Sequence, residues 1–370
     1  MKLTFIGDIM LGRFVSDKYK EKQYDIISKG VQDRIKESDF VVANLESPIT
    51  TQVSNNSLAF AGDSCLLSQL KFINLLSLSN NHINDFGEEG ISETIKLLDK
   101  AGIEWNGVYE NEYKPYVIEN VGVKIAIITC TDMLNDELDD TCKYSLLRAD
   151  SPQLNQIIHD ITDLGYFPIL FAHCGSLFSR FPNPPIRDIL YSAIEAGAKC
   201  VVTCHSHCLG GMDSYKNVPI FYSLGDFLMD GSSYRRRRAC VLKLEIEGCQ
   251  LIGWDIIPTI TNNDLQTTLP NKRLRDRILC GFTKVSKKMQ KPRKNYTHFY
   301  KWQYKVEILN HSLSTLHFLY DSKGFSGFCK MIIVRFMDVK RMIHRMVFDR
   351  SNVRYDADAV SKSLKNSDIK

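Results

Sequence analysis

Five places in the chain set a metal-capable side chain directly after a short apolar run. Asp8 follows Lys2–Ile6 (KLTFI), and Glu46 follows Asp39–Leu45 (DFVVANL). Asn81 and His82 follow Phe72–Ser79 (FINLLSLS), and His173 follows Phe167–Ala172 (FPILFA). His205 and His207 follow Ala198–Thr203 (AKCVVT). Carboxylate, amide oxygen and imidazole together suit a borderline divalent ion such as Mn, Fe or Zn, held as one ion or two. Imidazole also serves as a general acid or base near neutral pH. Two histidines two residues apart would point to opposite faces of a strand; on a turning loop both rings can converge. Each of these residues alone reads equally well as a turn or capping residue with ordinary hydrogen bonds. Together they read as one polar cluster, because parallel strands bring their carboxyl ends to one edge of a sheet, where open α/β sheets place ligands.

The elements needed to position such a cluster are legible around it. Helices are expected over Tyr24–Ser38, Leu66–Leu70, Glu88–Ala101, Gln153–Gly165 and Pro184–Gly197; in the third, Ile91, Ile95 and Leu98 recur at helical spacing. Val117–Asn120 and Val123–Thr129 flank Gly122 as a hairpin, and Pro219–Leu224, Ala239–Ile246 and Leu251–Ile256 read as later strands. Strands alternating with helices place the chain in the α/β class. With 44% hydrophobic residues and 370 residues in all, the chain can bury a substantial core.

Charge is unevenly spread. Residues 1–264 carry 24 Lys+Arg against 35 Asp+Glu, net −11, whereas residues 265–370 carry 23 against 8, net +15. That shift marks a boundary, with a main domain over 1–264 and a basic, mostly helical C-terminal extension over 265–370, and it suggests an anionic partner for the extension. Within it lie the basic run Lys272–Lys294, the aromatics Tyr296, Phe299, Tyr300, Trp302 and Tyr304, and helix-compatible stretches over Glu307–Tyr320 and Phe328–Phe348. Three readings stand side by side. The extension packs as a helical subdomain; it makes a peripheral contact with an anionic membrane; or it meets nucleic acid, although no base-reading motif is present and no specific nucleic-acid partner is expected. No apolar run reaches the roughly 18–20 residues of a membrane span. The N-terminal run before Asp8 is too short for a signal-peptide core. The eleven cysteines show no C-x-x-C pair. Reduced thiols and a cytoplasmic location, peripheral to the inner face of the membrane where the extension binds lipid, are the expectation.

The ordered segments GDIMLGR (Gly7–Arg13), NLESPIT (Asn44–Thr50), SNNHINDFGEEGISETIKLLDKAGI (Ser79–Ile103), AHCG (Ala172–Gly175) and CHSHCLGGMDSYKNVPIFYSLGDF (Cys204–Phe227) resemble the CapA family of bacterial capsule and poly-γ-glutamate synthesis proteins. The resemblance covers roughly residues 1–260. It implies kinship with calcineurin-like metallophosphoesterases and their four-layer α/β/β/α sandwich. It further implies that Asp8, Glu46 and His207 hold a first metal, that Glu46 bridges, and that Asn81, His173 and His205 hold a second, with His82 as the catalytic, phosphate-facing residue. A metal-activated water would attack a phosphorus or acyl centre while His82 stabilises the leaving group. Asn44, Arg235 and Arg236 are expected to contact an anionic substrate or polymer; the run Arg235–Arg238 is either a solvated loop or a clamp on phosphate or polycarboxylate through bidentate contacts. A non-catalytic component that binds polymer in the same pocket is the competing class. Three departures stand out: Met10 sits where the metallophosphoesterase motif has histidine, Cys174 and Leu177 replace the tryptophan and carboxylate of the family's His-Trp-Gly-x-Glu, and Gly225-Asp226-Phe227 replaces Gly-Asn-Phe. Met10 predicts a weakly held first metal; the added carboxylate of Asp226 either offsets the lost ligand charge or, the favoured reading, is a loop residue apart from the site.

Overall fold

The computed structural model describes residues 1–318 and 321, apart from 55–58, 121, 136, 232 and 291–293. The chain divides into two units, Met1–Thr315 and Leu316–Lys370. The fold below is that of the first; nearly all of the second, including the stretch expected over Phe328–Phe348, lies outside the described residues.

Alternation within the apolar runs decides which core each side chain enters. Leu3 and Phe5 of the strand Lys2–Ile9 enter one core, Ile6 and Ile9 another. Val42 of Phe40–Leu45 and Val41 with Ala43 divide in the same way. These strands belong to an eight-stranded sheet in which Lys2–Ile9, Phe40–Leu45, Leu75–Ser77 and Glu104–Asn106 run parallel in that order. Arg238–Glu247, Gln250–Thr261 and Thr267–Thr268 extend the other edge antiparallel, and Asp226–Leu228 pairs beside the end of the first strand. A six-stranded sheet carries parallel strands Val123–Thr131, Phe167–His173, Cys200–Cys204 and Val218–Phe221, closed by antiparallel Tyr116–Asn120 and Met212–Tyr215.

The inner faces of the two sheets share one core. Leu3, Phe5 and Val42 meet Ile125, Ile169, Phe171 and Val202, and the Phe5 and Phe171 rings pack edge to face at 5.4 Å. On the far side of the first sheet, helices Lys29–Ile35, Ser64–Leu70 (3₁₀) and Gly87–Ala101 cover it with Val31, Ile35, Leu66, Leu70, Ile91 and Leu98. On the far side of the second, helices Pro152–Asp163 and Pro184–Glu195 contribute Leu154, Ile158, Leu190 and Ile194. Asn183 caps the second of these, accepting from the Ile186 amide at 2.9 Å, with Pro184 at its first position.

Three expectations shift. The helix expected over Tyr24–Ser38 contracts to Lys29–Ile35, because Ile26 and Ile27 are spent in the core and Ile27 bridges to Thr267. Arg13–Lys22, too polar to show an apolar stripe, is helical, with only Val15 and Ser16 buried. The run at 72–79 keeps only Leu75–Ser77 as strand, held at its two ends by Asn74 N–H on the Val41 carbonyl at 3.0 Å and Leu78 N–H on that of Asn106 at 2.8 Å.

The charge boundary near residue 264 is not a packing boundary. Helix Lys272–Met289 lays Ile278, Phe282, Val285 and Met289 into the cores, and Arg187 Nη2 donates to the Met289 carbonyl at 3.0 Å. Residues 294–318 are also helical, with Tyr296 and Tyr300 buried in the core of the second sheet.

Candidate metal centre

All five expected ligand positions lie where parallel strands of both sheets end. Register places Asp8 beside Asn44 and His173 beside Cys204. Gly7 makes the first of these approaches possible: a Cβ there would sit 2.1 Å from the Gly225 carbonyl oxygen, which accepts from Asp8 N–H at 3.2 Å. The strand can thus press against the Gly225-Asp226 turn, and Asp8 pairs with Asp226 in register.

Two triads of ligand atoms share one residue. Glu46, His173 and His205 form one, and Asp8, Glu46 and His207 the other, each with its atoms within 4.8 Å of one another. Glu46 Oε1 lies 3.6 Å from His173 Nε2 and 3.7 Å from His207 Nε2. Two ligands each about 2.0–2.2 Å from a common ion sit roughly 3–3.6 Å apart, so these separations need little adjustment. Asn81 joins the first triad: its Oδ1 lies 2.7 Å from His173 Nε2, and its Nδ2 donates to Asn135 Oδ1 at 2.9 Å, which fixes the amide with oxygen toward the histidine.

Electrostatics favours a cation here. Glu46 is fully buried, and both of its oxygens, with His205 Nε2, lack a hydrogen-bond partner. Burial, then the charges of Asp8 and Asp226, push the Glu46 carboxyl well above its ordinary range. Burial lowers His173 and His205, the latter well below the usual histidine value with help from His173 and His207, so their lone pairs are available to a metal. Burial opposes the Asp8 charge, but the bonds and charges of His173, His207 and the His205 amide prevail and hold it down to about 2. A buried carboxylate without donors, ringed by imidazoles, fits a divalent ion; without one it is a costly arrangement.

The surrounding groups orient the ligands. Asp226 is not the bystander read from the sequence: its Oδ1 lies 2.8 Å from His207 Nδ1, turning Nε2 toward Glu46, and its Oδ2 accepts from Arg236 Nε at 3.2 Å. Asn44, expected to touch substrate, is buried; its Nδ2 donates to Asp8 Oδ1 at 2.8 Å and lies 3.1 Å from His173 Nδ1, so it orients ligands instead. Arg235 is likewise committed, donating to the Glu307 carboxylate and, at 2.9 Å, to its carbonyl. Arg236 is the arginine of the pair beside the site. Met10 is buried in the helix-side core, with Sδ accepting from Gly12 N–H at 3.1 Å.

His82 stands beside Asn81. Its Nδ1 is 2.7 Å from Asp85 Oδ2, and its ring stacks on Phe60 at 3.8 Å and 10°. Phe60 N–H in turn donates to Asp85 Oδ2 at 2.7 Å. Asp85 was visible in the run Asn80–Gly87, three residues after the histidine; Asn135 and Phe60 carried no sequence signal. Asp132, at the end of its strand, was also missed. Burial pushes its carboxyl up to about 6, against the Gly175 amide and Arg148, and Oδ1 lacks a partner. An acid raised in the folded state keeps its full stability below the ordinary value of 3.8 and loses it as pH rises to about 6. Asp132→Asn should therefore stabilise the protein at pH 8, by on the order of 2 kcal/mol, and do little at pH 3.5. Thermal unfolding at both values checks it: an equal shift at the two would remove titration as the cause.

Residues 2–231 match the family model described as bacterial capsule synthesis protein PGA_cap. The chain is 26% identical over 274 residues to the capsule biosynthesis protein CapA of Bacillus anthracis, covering 70% of this chain and 67% of that protein. It is 26% identical over 258 residues to the PGA biosynthesis protein CapA of Bacillus subtilis, covering 67% and 68%. Among solved structures, a hypothetical protein from Thermus thermophilus aligns with a TM-score of 0.45 at 14% identity, over 70% of this chain and 98% of that one.

Proposed function

The chain belongs to the bacterial capsule synthesis family PGA_cap, and from that premise we propose that it is a metal-dependent hydrolase acting on a phosphoester or related anionic substrate in the making of a capsule or poly-γ-glutamate-type polymer. One observation carries the reading: the buried Glu46 carboxylate, with no donor on either oxygen, shared between two ligand triads. The triads support two ions, one held by Asp8, Glu46 and His207, the other by Glu46, Asn81, His173 and His205. The nitrogen and oxygen donors suit Mn, Fe or Zn. A divalent ion bound there supplies Lewis acidity and a lowered pKa for water. The protein's own part is to orient: Asp226 and Asn44 fix ligand rings and carboxylates, and Arg236 offers positive charge beside them. His82, oriented by Asp85, is the group placed to give a proton, from its imidazolium form, to a departing oxygen. The three cores support the four-layer helix, sheet, sheet, helix arrangement.

In this reading residues 1–264 hold the site and 265–370 extend it. No helix among the described residues is long and apolar enough to cross a membrane. Helix Lys272–Met289 spends its apolar stripe on the sheets, so the proposed contact of the extension with an anionic membrane rests on residues 328–348, outside the described ones.

Elemental analysis of the purified protein after loading with Mn, Fe or Zn, beside a phosphomonoester and phosphodiester screen, tests the proposal. His205→Ala should lose the ion held with Glu46 and His173 while the strand before it stays intact. Unchanged stoichiometry in that variant would sink the ligand assignment. Metal without turnover would leave the polymer-binding reading.

A further inference from the structure

The loop after the strand Phe167–His173 starts at a proposed ligand and carries a strained residue. Phe178 has φ of 60°, the left-handed region that a bulky side chain rarely occupies. Its N–H donates to the Ser206 carbonyl at 2.8 Å, and Ser206 stands between His205 and His207, which themselves have φ of 97° and 54°. The Phe178 ring lies 6.2 Å from the His207 ring and 5.9 Å from the Arg236 guanidinium that supports Asp226. Phe178 therefore touches a ligand, the support of that ligand and the turn that carries it. Strain of this kind persists only where neighbours enforce it.

The neighbours come from the helical segment 294–315, beyond the residues that match the family. His311 stacks on Phe178 at 3.9 Å and 6°. Glu307, 1% exposed, accepts from Arg180 Nε and Nη2, both at 2.9 Å, and pairs with Arg235 as well. Tyr300 Oη donates to Ser176 Oγ at 2.8 Å, and Tyr296 Oη to the Pro182 carbonyl at 2.8 Å. Ser176, Phe178, Arg180 and Pro182, every second residue of the loop, are thus held by one segment.

We propose that segment 294–315 is a clamp that positions the His173 loop and, through Phe178, the His205–His207 turn, with Glu307 and His311 as positioning residues that set how tightly the metal is held. This rests on the metal-site reading above. A buried carboxylate holding two guanidiniums in fixed geometry gives the loop little freedom, and groups that orient ligands are worth about 10–100-fold in metal affinity.

The full-length protein, loaded with Mn, is titrated with a competing chelator, and its thermal unfolding is followed in parallel. His311→Ala should release metal about 10-fold more readily with little change in unfolding temperature, and His311→Phe, which keeps the stack, should restore retention. Glu307→Gln should act in the same direction as His311→Ala. A merely structural role would move the unfolding temperature and leave metal retention alone. The clamp is overturned if wild type binds metal and His311→Ala holds it equally well, or if His311→Phe fails to restore it; these partly buried positions decide the matter even where Glu307→Gln does not fold. A wild type that binds no metal overturns the metal-site reading itself.

Discussion

Glu46→Gln is expected to stabilise the protein without metal and to destabilise it with metal. In the metal-free state the Glu46 carboxylate is buried with both oxygens unpartnered, and its charge is disfavoured by burial and by Asp8 and Asp226. Glutamine is nearly isosteric and uncharged, and its amide brings a donor within reach of His207 Nε2, now 3.7 Å from Oε1. Removing the uncompensated charge should raise the unfolding temperature in chelator. The gain should vanish below the ordinary glutamate value of 4.5, because there the carboxyl is protonated in folded and unfolded chains alike, and grow as pH rises above it. With metal the sign reverses. A ligand at 1,000 times its dissociation constant adds about 4 kcal/mol of stability, and the shared anionic ligand is the largest single part of both triads. Glutamine keeps an oxygen but not the charge, so most of that increment should disappear. Thermal unfolding of both proteins in chelator and in saturating Mn at pH 7.5 measures it. A shift of the same sign in both conditions would mean that Glu46 does not face a cation.

The residues of the two proposed ligand triads were legible in the sequence, and most of those that orient them were not. Asp8, Glu46, Asn81, His173, His205 and His207 each combine a ligand-capable side chain with the end of an apolar run, and the fold converges them because both sheets end their parallel strands at one place. Asp226 has the same chemistry without that signal: an aspartate after a glycine is usually a turn residue, and only the approach of Gly225 to Gly7 brings it to His207. Asn44 went the other way: expected to contact substrate, it has its amide occupied by its neighbours Asp8 and His173. The basic extension was read through its charge, and its described lysines and arginines are exposed. Among what ties it to the loop after His173 is an acidic residue, Glu307, meeting Arg180 across 127 positions, a contact no local pattern encodes. Composition therefore put the boundary near 264, whereas packing carries the first unit on to Thr315.

His82→Gln should separate chemistry from metal binding. His82 belongs to neither ligand triad, yet it follows the proposed ligand Asn81 directly, so it borders the centre. Nδ1–H donates to Asp85 Oδ2 at 2.7 Å, so in the imidazolium form Nε2–H is the proton free to pass to substrate, while Phe60 stacked at 3.8 Å stops the ring from turning away. If departure of an oxygen limits turnover, loss of that proton should lower kcat about 100-fold, within the range of general acid catalysis, and leave metal content unchanged. Asp85→Asn keeps the imidazole but frees its tautomer, so its kcat should fall in the same direction with metal again retained. The deficit in both variants should shrink on a substrate with a good leaving group such as a nitrophenolate, which departs without a proton. Elemental analysis and steady-state kinetics on a nitrophenyl and an alkyl phosphoester, run on the same preparations, check all of this. Full turnover of the alkyl ester by a metal-replete His82→Gln protein would remove His82 from the reaction. A loss of metal alongside the loss of rate would instead make His82 part of the metal's coordination, and the two triads would then need a further member.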